Sequence, residues 1–88
     1  MKVTVLYQPN SEHERRVLDY ARDVKRTTGH ELELVSLNSR EGADQAKLYD
    51  ATRYPAVLAL RDNGQLLQLW QDELLPTINE VSAYFSTQ

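Results

Sequence analysis

Cysteine is absent from the chain, and with it every thiol nucleophile, disulfide and thiolate metal ligand. Proline and glycine are scarce, three of each, so no flexible linker or low-complexity segment interrupts the sequence. No charge of one sign dominates. Ten basic residues stand against thirteen acidic ones, interspersed along the chain, for a net charge of -3. A nucleic acid or an anionic membrane would call for a basic stripe, and neither is expected as a partner. Long apolar runs are missing too. The longest, Ala56-Val57-Leu58-Ala59-Leu60, is far short of the roughly 20 residues that span a bilayer.

What is there has an ordinary globular composition, 41% hydrophobic and 26% charged in 88 residues. That length holds one core, so a single domain spanning 1–88 is predicted. Met1-Lys2-Val3-Thr4-Val5 enters a strand pattern directly, without the regions of a signal peptide, and cytoplasmic residence is the expectation.

Val3, Val5 and Tyr7 alternate up to the turn signal Gln8-Pro9-Asn10, which marks a first strand. Ser11-Glu12-His13-Glu14 matches the S-x-x-E capping box. Val17, Leu18, Ala21 and Val24 then recur at helical spacing to about Thr28, and Gly29 stands where a left-handed cap belongs. Leu32, Leu34, Val35 and Leu37 form a second strand. Asn38-Ser39-Arg40 reads as a loop, and Gly42 lies near the start of a short helix carrying Ala43, Ala46 and Tyr49 inward and ending near Ala51.

Tyr54-Pro55 leads into the run 56–60, whose lack of alternation implies a strand buried on both faces. Asp62-Asn63-Gly64 supplies residues that tolerate positive φ in a tight turn. Gln65 to Gln71 follows as a fourth strand, with Leu67 and Leu69 alternating against Gln68. Pro76 and a second capping box, Thr77 to Glu80, open a last helix with Ile78, Val81, Ser82 and Phe85 along one stripe. The order β-α-β-α-β-β-α predicts an α/β fold, a mixed four-stranded sheet with helices on both faces.

This order resembles the thioredoxin-like superfamily, glutaredoxins included. Tyr7 to Glu14 is similar to the family's active-site turn, with Ser11 at the first cysteine position and Glu14 at the second. Leu48 to Leu58 resembles the family's stretch ending in a cis-proline, which makes Pro55 the candidate. The resemblance covers nearly the whole chain and implies the thioredoxin-like fold without its dithiol chemistry. A serine hydroxyl is far less acidic than a thiol, and a helix terminus alone does not make it an alkoxide.

The resemblance also implies a groove, bordered by Tyr7, Pro9, Ser11, Glu14, Arg16, Tyr54 and Pro55, where relatives present backbone groups to extended peptides. The expected partner is therefore a protein or peptide held by a non-catalytic adaptor module. The plainer alternative is that Pro55 serves fold geometry while Tyr7 and Tyr54 pack locally. Arg15 and Arg16 near a helix start could attract an anion, although Glu12 and Glu14 already supply negative charge there and solvated arginine is preferred. A second alternative is an enzyme of non-dithiol chemistry, such as glutathione-dependent transfer using Ser11. Glutathione transferases, however, carry a Glu-Ser pair after the cis-proline region, where this chain has Arg61-Asp62-Asn63-Gly64.

Ser11, His13 and Glu14 do not read as a hydrolytic triad, because residues two apart on a helix point to different sides. His13 and His30 lie about 25 Å apart by helical rise, so no metal is implied, and no cofactor is expected. His30 is expected to face solvent. Trp70 is either a core-edge residue or an exposed contact anchor on an edge strand, and a homodimer through the edge around Leu69 and Trp70 or through the apolar face of the last helix is left open.

Overall fold

The computed structural model describes residues 2–71 and 75–85. Of the span 1–88, Met1, 72–74 and 86–88 lie outside the described residues. The elements run in the predicted order: β1 (Lys2–Tyr7), α1 (Glu14–Thr28), β2 (Glu33–Ser36), α2 (Arg40–Leu48), β3 (Ala56–Leu60), β4 (Leu66–Trp70) and α3 (Ile78–Ser82). They form one mixed sheet of order β2-β1-β3-β4, with β1 and β2 parallel and β3 antiparallel to both β1 and β4. The architecture is α/β and thioredoxin-like.

Alternation along β1 divides the apolar residues between two cores. Val3, Val5 and Tyr7 join Val57 and Ala59 of β3 under α1 and α3, where Val17, Val24 and Val81 are fully buried. Leu6 joins Ala56, Leu58 and Leu60 on the other face, against Ala46 of α2 and Tyr49. All five residues of β3 are buried, as their unbroken apolar run requires of a central strand. Thr4, the one buried polar residue among those described, donates its hydroxyl to Glu33 Oε1 at 3.2 Å.

Several local expectations change. Leu18 is 45% exposed, because the core stripe of α1 runs through Val17, Ala21 and Val24 and leaves it on the margin. Ala43 is exposed rather than inward, because the inward stripe of α2 and its end runs through Gly42, Ala46 and Tyr49. In β4, Leu67 and Leu69 do not share a face. Ala59 opposes Gln68 and Leu60 opposes Leu66, so Leu67 is an extra residue. This bulge sends Leu67 to the α1/α3 core while Leu69 and Leu66 pack on the α2 side. Trp70 is a core-edge residue, meeting Tyr84 edge-to-face at 5.5 Å. His30 is exposed yet stacks on Phe85 with ring centres 4.8 Å apart.

The turns follow their residues. Gly29 adopts φ 80° and donates its N–H to Lys25 O at 2.8 Å, closing α1. Gly64, at φ 89°, ends the β3–β4 turn, where its N–H meets Arg61 O at 2.9 Å. Tyr49 donates its hydroxyl to Gly64 O at 2.6 Å and ties the end of α2 to that hairpin.

At α3 the Thr77 hydroxyl accepts the Glu80 N–H at 3.1 Å while Glu80 Oε1 accepts the Thr77 N–H at 2.9 Å. The helix has only five residues, too few to hold together unaided. Thr77→Ala should therefore cost about 1 kcal/mol in urea unfolding. An unchanged midpoint would mean that burial of Val81 alone holds the helix.

Candidate functional site

The chain gathers its loops at one end of the sheet. β1 and β2 run in parallel to Tyr7 and Ser36, β3 starts at that same end with Ala56 opposite Leu6, and β4 finishes there with Trp70 opposite Val57. The segments after β1, after β2 and before β3, with Gln71 just after β4, thus meet where α/β sheets place their ligands. Hydrogen bonds tie them. Leu37 N–H reaches Tyr7 O at 2.9 Å, and Gln8 Nε2 donates to Asn38 Oδ1 at 3.0 Å. Gln71 Oε1, just after β4, accepts the N–H groups of Thr52 at 2.9 Å and Arg53 at 3.3 Å and so holds the segment that enters β3.

The turn after β1 is braced by its own side chains. Pro9 and Asn10 form its corner, with Asn10 at φ 61°, a left-handed conformation that Asn tolerates. Ser11 donates its hydroxyl to Gln8 O at 2.6 Å. Glu14 Oε1 accepts the Asn10 N–H at 3.1 Å. His13 Nε2 accepts the Gln8 N–H at 3.0 Å, so the ring is neutral with its proton on Nδ1. Burial, followed by the field of Arg16, lowers the pKa of His13 below its ordinary 6.5, with Glu14 working in the opposite direction.

This geometry corrects the expected capping box. His13, not Ser11, is the cap residue of α1, and it makes no side-chain capping bond. Ser11 and Glu14 brace the turn one step earlier, because the left-handed Asn10 brings its own N–H, rather than that of Ser11, to the Glu14 carboxylate. The same bonds decide the chemistry. The Ser11 proton is given to a backbone oxygen and the His13 lone pair is filled by a backbone N–H. Serine and histidine are thereby turned onto Gln8, not onto each other. No grouping of side chains suited to a metal ion occurs among the described residues.

Beside this turn lies a cleft of about 480 Å³. Leu37, Ala43, Ala46 and Ala51 give its apolar lining, and Gln8, Lys47, Asp50, Thr52 and Tyr54 its polar one. Positions 43, 46, 47 and 50 follow helical spacing, so one stripe of α2 and its end faces the opening. Short side chains on that stripe leave the volume. Tyr54 is 37% exposed, and its hydroxyl is anchored on Ala51 O at 2.7 Å. The Tyr54–Pro55 peptide is cis and Pro55 is buried.

Of the residues expected at a groove, Tyr54 lines this cleft. Pro9, Ser11 and Glu14 belong to the turn, Pro55 is buried behind the cleft residue Tyr54, and Tyr7 packs on the α1/α3 core. Arg15 and Arg16 are exposed on α1. Sequence reasoning missed Gln8, Leu37, Lys47, Asp50 and Thr52. The signal that could have found the α2 side is the run of small residues Gly42, Ala43 and Ala46 on a short amphipathic helix.

No protein-family model matches the chain, and no curated protein matches it in sequence. Among solved structures it is similar to thioredoxin 1 from the thermophilic eubacterium Thermosipho africanus, with a TM-score of 0.65 and 14% identity. The match covers 97% of this chain and 90% of that one. At that identity the likeness establishes the fold, and the absence of cysteine sets this chain apart from dithiol chemistry.

Proposed function

We propose that this chain is a non-redox binding module that receives a peptide segment in the cleft between the β1–α1 turn, α2 and the segment entering β3. The cleft carries the reading. It lies at the end of the sheet where α/β folds place their ligands, joins an apolar lining to polar groups, and includes the half-exposed ring of Tyr54. Its alanines leave room for an apolar side chain of the guest, while Gln8, Asp50 and Thr52 offer hydrogen-bonding groups to an extended backbone. Thiol-free function also agrees with the state of Ser11, whose hydroxyl braces a turn rather than meeting a substrate.

A display library of extended peptides tests the reading. Ligands selected on the intact protein should lose about tenfold or more in affinity with Tyr54→Ala, and a comparable amount when Ala46→Trp fills the cleft. Arg16→Ala lies outside the cleft and should leave affinity within about twofold. A loss on Arg16→Ala with none on Ala46→Trp would move the site to the turn. Failure to select any peptide binding more tightly than about 1 mM would end the proposal.

A further inference from the structure

We propose that His13 and Gln8 form a proton-operated latch on the cleft, closed while the imidazole is neutral and released when it is protonated. The bond from the Gln8 N–H to His13 Nε2, 3.0 Å long and partly buried, exists only while that nitrogen has a lone pair. Protonation turns both ring nitrogens into donors. Two N–H groups would then face each other, and the Gln8 amide would be left without its acceptor.

Gln8 makes this local event matter. Its carbonyl accepts the Ser11 hydroxyl, its side chain reaches Asn38 in the turn after β2, and it lines the cleft. One residue thus joins the β1–α1 turn, the β2–α2 turn and the cleft. Displacing its backbone changes all three.

Two charged groups act on the ring, both from α1. Arg16 disfavours a second positive charge and Glu14 favours one, with burial and Arg16 dominant. From the β1–α1 turn the ring meets the neutral Gln8 N–H. The neutral ring is therefore the form the folded chain selects. Its stabilising contribution is complete above pH 6.5 and is lost as pH falls through the lowered folded midpoint. A guest in the cleft should be held near neutrality and released in mild acid.

The inference depends on the proposed peptide site only for that last consequence, and the latch itself is tested without ligand. Amide and imidazole NMR signals of the intact protein are followed from about pH 8 to about pH 5. The Gln8 backbone amide and the Asn38 side-chain amide should shift together with the His13 ring, at one midpoint below 6.5. His13→Gln should abolish the shift while the melting temperature confirms folding, and His30→Gln should leave it intact. A Gln8 amide that stays fixed while His13 titrates overturns the latch, as does a His13 midpoint at or above 6.5. Concerted shifts in a protein that selects no peptide would uphold the latch and remove only the peptide reading.

Discussion

Leu58→Ala is expected to cost about 3–4 kcal/mol and to lower the melting temperature by roughly 15–25 °C. Leu58 lies at the middle of the central strand with none of its surface exposed, on the face that packs against α2. Truncation removes buried methyl groups and opens a cavity whose walls, Leu6, Ala56 and Leu60, belong to paired strands that cannot collapse inward. The chain has no disulfide to limit the entropy of its unfolded state, so the two cores carry the stability. For 88 residues the total is on the order of 4–13 kcal/mol. The loss is therefore a large share, and the variant should be partly unfolded near 37 °C by circular dichroism. Loss below about 1 kcal/mol would show that α2 moves in to fill the space.

Much of this architecture was legible because local pattern and tertiary role agree. The unbroken run from Ala56 to Leu60 dictates a strand covered on both faces, and Gly29 and Gly64 stand at left-handed positions that other residues resist. Thr77-x-x-Glu80 is a capping box in the structure as in the sequence. Ser11-x-x-Glu14 has the same pattern and a different outcome. The spacing of two residues says which groups can meet, but the path of the preceding backbone decides which N–H comes within reach, and the left-handed Asn10 changes that path.

Register is equally hidden from periodicity. Counting by twos puts Leu67 and Leu69 on one face, whereas a single extra residue opposite the Ala59–Leu60 step sends them to opposite cores. The cleft was the least legible part, since Gln8, Leu37, Lys47 and Thr52 come from four separate segments and have no common spacing. Only the packing of α2 on the end of the sheet brings them together. Tyr54 was found because it adjoins Pro55, a landmark that local sequence does contain.

Gly42→Ala should destabilise the chain by on the order of 3 kcal/mol, against a helix propensity that favours alanine over glycine by about 1 kcal/mol. Gly42 is the buried residue of α2, and Ser39, the cap of that helix, accepts its N–H at 3.0 Å. A Cβ added there would overlap the carbonyl oxygen of Ser36 and lie 2.8 Å from its carbonyl carbon. These are backbone atoms of the last residue of β2, held by its pairing with Tyr7, and no rotamer change relieves the contact. Either α2 lifts away from the sheet or β2 frays. Both outcomes move Ala43, Ala46 and Lys47, so peptide binding should fall further in Gly42→Ala than in Leu58→Ala when the two are compared at equal folded fraction. Glu41→Ala, at an exposed neighbouring position, should stay within about 0.5 kcal/mol of the parent and serves as the control. A Gly42→Ala protein as stable as the parent would mean that α2 has slack at its amino end, and the glycine would then reflect only the start of a helix.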